Sequence, residues 1–197
     1  MTPQAESILD MFRSRGAYLE GHFRLTSGLH SSQYLQCALV LQYPDDAEKL
    51  AQKLAAELAR RAGVKIELVV SPALGGLIIG HEVARALGTR FLFTERDAAT
   101  KKMALRRGFT VTPGEKVVVV EDVITTGGST HDVVDVFRSA GADVRAAGSI
   151  IDRSGGQAAV GTPRAALVTL DVATYDPAAC PLCQAGTPAV KPGSRPA

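Results

Sequence analysis

The stretch VVVVEDVITTGGST, Val117–Thr130, decides how this chain is read. Val117–Val120 is an unbroken β-branched run, the pattern of a strand covered on both faces, as in a parallel sheet. It runs into two adjacent acids, Glu121 and Asp122. After Val123 and Ile124 come the small residues Thr125, Thr126, Gly127 and Gly128. Ser129, with Asp132 three residues on, forms a capping-box-like start for a helix bearing Val133, Val136, Phe137 and Ala140 and closed by Gly141. In an open parallel sheet ligands bind beyond the carboxyl ends of the strands, which is where the two acids fall. Gly127 and Gly128 let backbone N–H groups approach a ligand, Thr125, Thr126, Ser129 and Thr130 add hydroxyl donors, and the helix dipole favours an anion. The loop reads as a phosphate cradle. Adjacent carboxylates would repel a bare phosphate, but they suit sugar hydroxyls, which donate hydrogen bonds, or a Mg²⁺ that the phosphates also bind. A phosphorylated sugar satisfies both halves. The chain has neither the Gly-Lys-Ser/Thr of a P-loop nor Gly-x-Gly-x-x-Gly after a strand, which tells against nucleotide hydrolysis and dinucleotide binding.

Outward from this stretch, helices and strands alternate at spacings that imply a parallel α/β sheet with right-handed crossovers. On the N-terminal side, Pro44-Asp45 opens a helix with Leu50, Leu54 and Leu58 on one face, closed by Gly63. The apolar strand Ile66–Val70 follows, then the turn Ser71–Gly76, a helix to Ala86, and a strand over Arg90–Thr94. Residues 95–112 are basic and lack periodicity, so a long exposed loop is predicted there. At the start, Thr2–Arg15 reads as an amphipathic helix, and two short strands are expected in 18–43, at His22–Leu25 and Gln33–Leu41 around Thr26-Ser27-Gly28. Strands at Asp143–Ile151 and Ala165–Leu170 end the core. The Pro-containing tail from Pro177 is expected to be irregular. The layout is one domain over 1–197: an N-terminal helix and hood over 1–43, a core over 44–176 and a tail over 177–197.

With Lys plus Arg at 22 and Asp plus Glu at 20, the formal charge of +2 gives no sequence-wide reason to expect nucleic acid. No apolar run is long enough to span a bilayer, so no membrane role is expected. Glu6 and Asp10 stand where a signal peptide would need basic and apolar residues, and three cysteines cannot all pair within the chain. A reducing, cytoplasmic setting is the expectation. Cys180-Pro-Leu-Cys183 is half of a structural zinc site with no second pair beside it, and His22, His30, His81 and His131 show no ligand spacing. No direct protein–metal ligand is expected, and the cysteines read as thiols in a tail.

Val117–Thr130 resembles the motif of the type I phosphoribosyltransferases, in which hydrophobic strand residues precede two acids and a Thr/Gly-rich loop. Within them the chain resembles the orotate phosphoribosyltransferases over nearly its whole length: Phe23–Gly28 with Tyr34, Ser71–Gly76, Arg96 before the basic loop, and Ile151-Asp152-Arg153. The resemblance implies an open, mainly parallel sheet flanked by helices, with a small N-terminal hood. It implies an enzyme that joins orotate to the phosphoribosyl group of phosphoribosyl pyrophosphate (PRPP), with Mg²⁺ carried by PRPP. Glu121 and Asp122 would hold the ribose hydroxyls, and Val123, Ile124 and Thr125 to Ser129 would wrap the 5-phosphate. Ala73, Leu74, Gly75 and Gly76 would take the pyrophosphate. Thr125, Arg153, Thr26 and Tyr34 would meet orotate; a guanidinium suits its carboxylate and carbonyls because its donors form a rigid fork. Arg96, Lys101, Lys102, Arg106 and Arg107 are candidates for the catalytic charge, on a loop that in the family reaches across a homodimer. The chain departs from the family where Thr26 and Gly75 stand in place of common lysines, and where residues 96–108 lack a His. A phosphoribosyltransferase for another base, and a non-catalytic PRPP sensor, are the alternatives at this point.

Overall fold

The structure is a computed structural model and describes residues 2–25 and 28–192. In chain order its elements are α1 (Pro3–Ser14), β1 (Tyr18–Arg24), β2 (His30–Leu35), α2 (Ala38–Leu41), α3 (Pro44–Ala62), β3 (Leu68–Pro72), α4 (Gly76–Leu87), β4 (Arg90–Arg96), β5 (Met103–Leu105), β6 (Lys116–Ile124), α5 (Gly128–Ser139), β7 (Asp143–Asp152), β8 (Arg164–Thr169), β9 (Thr174–Tyr175), a 3₁₀ turn (Pro177–Ala179) and α6 (Pro181–Gln184). They fall into two units, one made of 1–40 with 171–197 and the other of 41–170.

The larger unit is built on a six-stranded sheet in the order β5-β4-β3-β6-β7-β8. All neighbours run parallel except β5, which returns antiparallel along β4. The order reverses direction at β3 and β6, and the crevice beyond such a switch point is where open α/β sheets bind ligands. β6 is central because its valines suit burial on both faces: Val117–Val120 have no exposure at all. Val117 and Val119 join Leu68, Val70, Val133, Val134 and Phe137 in one core on the α5 side. On the other side α3 comes so close to β7 that a Cβ at Gly148 would lie 3.0 Å from Leu54 and Leu58. Close approach also explains α4, whose Gly76 and Gly80 lie one turn apart. A Cβ there would meet the Ser71 Cβ at 2.8 Å and the Phe91 ring at 2.6 Å.

The segment expected to be a long loop over 95–112 is in part a hairpin: β4 runs on to Arg96, and Glu95 and Arg96 pair with Ala104 and Met103 of β5. Asp97 makes the turn, its Oδ1 accepting from the N–H groups of Ala99 and Thr100 at 3.0 and 2.8 Å. This is the local bonding by which Asp favours turns.

In the smaller unit, Thr2 caps α1 by accepting from the Ala5 N–H at 3.2 Å, and Ile8, Leu9 and Phe12 form its buried face. β1 and β2 pair antiparallel with an irregularity between Glu20 and Phe23, and β9 adds to β2 through His30 and Tyr175. Two expectations are corrected here. The second strand stops at Leu35, and Ala38–Leu41 is helical, a short apolar run being ambiguous between the two states. The tail is not irregular throughout: Asp176 caps the 3₁₀ turn, α6 follows, and Val190 bridges to β1. There the Val190 N–H donates to the His22 carbonyl and the Arg24 N–H to the Val190 carbonyl, both at 2.8 Å. The free edge of β1 supplies those backbone groups.

Candidate active site

The site of the larger unit lies at the carboxyl ends of β3, β6 and β7. At the end of β6 the loop Thr125–Gly127 leads into α5, which starts at Gly128, two residues before the start predicted with Ser129 as N-cap. Gly127 is its N-cap, at φ +84°, a conformation L side chains rarely adopt. A Cβ there would also stand 2.9 Å from Val160 Cγ1 and 3.2 Å from the Ala159 carbonyl oxygen, so two constraints select glycine. The predicted capping box is absent: Ser129 does not cap α5, the Gly128 N–H reaches Thr126 Oγ1 at 3.5 Å, and Asp132 faces Arg96 at 3.4 Å. First-turn N–H groups of a helix have no intrahelical acceptors, so those of α5 stand ready for an anion, with the dipole favouring negative charge. Glu121 and residues 123–130 line the resulting cleft, of about 100 Å³.

The acids divide their positions as successive strand residues do. Glu121 is buried and lines the cradle, whereas Asp122 stands under the turn after β3: a Cβ on Gly75 would fall 2.6 Å from Asp122 Oδ1. Gly76 is nearly as tight against Ser71, and its virtual Cβ would lie 3.4 Å from Glu121 Oε1. Residues 73–76 and the two acids are thus brought together. Gly75 has a local reason, because a side chain there would displace the Asp122 carboxylate. Burial, and secondarily the charge of Asp122, push the Glu121 carboxyl up to about 9. Burial likewise raises Asp122 above the usual carboxylate range. Groups displaced this way, side by side at a cleft, are candidates for a functional site.

The basic residues sort into kinds. Arg96 reaches the cradle, its Nη2 donating to Ser129 Oγ at 3.3 Å. Arg107 grips Glu95 through two bonds of 2.8 and 2.9 Å, and Arg106 pairs with Asp97. These two brace the hairpin. Lys101 and Lys102 are exposed at its tip and make no ion pair among the described residues. On the other side of the cradle, the Arg153 N–H donates to the Ile124 carbonyl at 2.8 Å, which places Arg153 beside Thr125 at the ends of β7 and β6. Tyr34 belongs to the smaller unit, half-buried with its ring centroid 5.8 Å from that of Phe23. Thr26 lies outside the described residues.

Sequence reading missed two kinds of residue. Asp152 is buried; its Oδ1 accepts from Ser154 N and Oγ at 2.8 and 2.6 Å, and its Oδ2 pairs with Arg164 at 3.2 Å. Arg164 also donates to the carbonyls of Ala158 and Gly156, clasping the loop whose Ala158 and Val160 pack against Gly127. Asp152 lies inside the quoted Ile151-Asp152-Arg153 stretch but has no role assigned to it there, and no motif spacing announces Arg164. The second kind is the set His22, His30, Cys180 and Cys183: expected to have no ligand role, their ligand atoms all lie within 4.8 Å of one another. A hairpin and a distant tail segment bring them together, so spacing along the chain carried no signal.

The phosphoribosyl transferase domain model matches residues 41–164, which is the sheet with its cradle. The orotate phosphoribosyltransferase of Desulforamulus reducens is 54% identical over 190 residues, covering 96% of this chain and 97% of that protein. That of Thermotoga maritima is 50% identical over 188 residues, covering 95% and 98%. Among solved structures, the orotate phosphoribosyltransferase of Aeropyrum pernix matches with a TM-score of 0.68 at 28% identity, over 83% of this chain and 93% of that one. Adenine phosphoribosyltransferase from Saccharomyces cerevisiae matches at 0.65 with 19% identity, over 83% and 99%, which speaks to the fold alone.

Proposed function

Because this chain belongs to the orotate phosphoribosyltransferase family, we propose how its own residues carry out the reaction of that family. The enzyme transfers the 5-phosphoribosyl group of PRPP to orotate, giving orotidine 5′-monophosphate and pyrophosphate in pyrimidine biosynthesis. One observation carries the assignment of roles: a buried Glu121 and a half-buried Asp122 at the end of the central strand lead directly into a helix start whose N-cap is a glycine without a side chain.

The 5-phosphate binds in the cradle of residues 125–129, taking N–H groups of the first turn of α5 and the hydroxyls of Thr125, Thr126 and Ser129. Glu121 and Asp122 accept hydrogen bonds from the ribose hydroxyls, which fixes the sugar and aims C1 toward the turn 73–76, where the pyrophosphate lies. Arg153 and Thr125 hold the orotate carboxylate and carbonyls. Orotate is already an anion, so no protein base is needed to activate it. Cleavage of the C1–pyrophosphate bond develops oxocarbenium character on the sugar and negative charge on the leaving group. Arg96, Lys101 and Lys102 meet the latter. Arg106 and Arg107 keep the hairpin in shape for that purpose, as their pairing supports. Mg²⁺ fits beside this site: the donors are carboxylate oxygens, and their raised pKa values are what a hard cation would relieve. Bound with PRPP, it would neutralise charge on the departing pyrophosphate. Closure of the hairpin, across a homodimer interface, would exclude water that otherwise hydrolyses the activated ribose. A cytoplasmic setting suits these phosphorylated substrates.

The test is the loss of orotate absorbance on mixing the protein with orotate, PRPP and Mg²⁺, with uracil and adenine in parallel. Loss with orotate alone is expected. Turnover of adenine or uracil instead would overturn the substrate, and PRPP binding without turnover of any base would make the protein a sensor.

A further inference from the structure

The smaller unit holds a cluster of side chains that phosphoribosyl transfer does not use. His22 stands on β1, His30 on β2, Cys180 just before α6 and Cys183 within it. His22, His30 and Cys180 are buried. His22 Nε2 lies 2.8 Å from His30 Nδ1, 3.5 Å from Cys180 Sγ and 3.8 Å from Cys183 Sγ, and Cys183 Sγ lies 3.3 Å from His30 Nδ1. No disulfide joins the cysteines. We infer that these four residues form a structural zinc site, His₂Cys₂, that ties the β1–β2 hairpin to the C-terminal segment.

Three features support this. First, tetrahedral bonds of about 2.0–2.1 Å to nitrogen and about 2.3 Å to sulfur require ligand atoms roughly 3.3–3.8 Å apart. The three sulfur–nitrogen distances of 3.3, 3.5 and 3.8 Å already fall there, the two nitrogens need to separate by about half an ångström, and no pair of the four ligand atoms is more than 4.8 Å apart. Second, the other nitrogen of His22 is engaged, Nδ1 standing 2.7 Å from the Thr187 carbonyl oxygen. A ligating histidine is regularly held this way, its second N–H on a backbone carbonyl, which leaves the Nε2 lone pair facing the centre. Third, the set is two soft thiols and two imidazoles without a carboxylate, which selects zinc over magnesium or calcium. With four protein ligands no coordination position is left open, so the role is structural and not catalytic. The anchor also has a mechanical logic: the segment from Pro177 makes only short elements, and α6 spans four residues. A metal supplies the folding energy that so little apolar burial does not.

The experiment measures zinc by mass spectrometry of the metal in the full chain purified without added metal or chelator. It then titrates Co²⁺ into metal-stripped protein. About one zinc per chain is expected, with intense d–d absorption and thiolate-to-cobalt charge transfer from Co²⁺, as four-coordinate S₂N₂ sites give. Cys180→Ser with Cys183→Ser should lower the zinc content at least tenfold and abolish both bands, while thermal unfolding of the wild type, and not of this variant, shifts down on chelation. His30→Ala, should the double variant fail to fold, should weaken the bands and blue-shift them. Wild-type protein that carries no zinc and gives octahedral, weak Co²⁺ spectra would overturn the site. So would a mass two daltons below the reduced chain, which would mean a Cys180–Cys183 disulfide.

Discussion

Glu121 shows how one residue couples stability to the site. Its carboxyl titrates near 9 in the folded chain against an ordinary 4.5, because burial and Asp122 disfavour the charged form. The folded protein therefore holds a proton there that the unfolded chain has released. Between about pH 4.5 and 9 this group's contribution to stability declines as pH rises, by at most about 1.4 kcal/mol per unit. Glu121→Gln should accordingly raise the melting temperature at pH 8 and leave it nearly unchanged at pH 5; parallel wild-type and variant curves would remove the premise. Asp122 has the complementary role on the ligand. Asp122→Asn exchanges a charged acceptor for a neutral one, worth about 1.5–3 kcal/mol, so kcat/KM for PRPP should fall roughly 10- to 150-fold with the melting temperature held or raised. Unchanged kinetics would exclude Asp122 from ribose binding. Both acids were legible in the sequence, since an ordinary turn from a buried strand into a helix has no use for two adjacent carboxylates ahead of Thr-Thr-Gly-Gly. What was not legible was their division, Glu121 toward the cradle and Asp122 under Gly75, because that depends on α4 approaching the sheet through Gly76 and Gly80.

The β4–β5 hairpin carries two paired arginines, Arg106 and Arg107, and two exposed lysines to which the proposed mechanism assigns the leaving group. Lys101→Ala with Lys102→Ala should lower kcat at least tenfold without changing thermal stability, because both side chains are exposed. Arg107→Ala breaks a pair with Glu95 that is largely solvent-exposed, a loss of about 0–1 kcal/mol, so its effect on kcat should be smaller. Equal loss of kcat in the two variants would show that Lys101, Lys102 and Arg107 act alike. The parallel strands and α3 were read correctly from valine runs and a leucine face capped by Gly63. The hairpin escaped notice because β5 is a three-residue edge strand whose pairing owes more to the Asp97 turn and the Arg107–Glu95 pair than to any alternation of its own. The tail's helical turns escaped for a similar reason: a Pro-rich composition describes its neighbours poorly, and its order comes from β1, more than a hundred residues earlier in the chain.

For the whole molecule, the proposed homodimer with a hairpin that crosses to its partner is open to a mixing experiment. Lys101→Ala/Lys102→Ala chains and Asp122→Asn chains are each expected to be weak. In mixed dimers one intact cradle meets one intact hairpin only if the hairpin crosses to its partner, so activity should reappear on mixing; none would return if each hairpin served its own cradle. The division into two units has a further consequence, for synthesis. The sheet-bearing unit is one continuous segment, 41–170, whereas the smaller unit is assembled from both ends of the chain. On the ribosome, the β1–β2 hairpin emerges first and must wait for β9 and the segment around Val190. At ordinary elongation rates that interval is on the order of ten seconds. A lone two-stranded hairpin is marginal at best in water, so the first segment to be made is the last to be completed. A chain truncated after residue 170 and released from the ribosome should carry a protease-resistant sheet behind an N-terminus that is still open to cleavage.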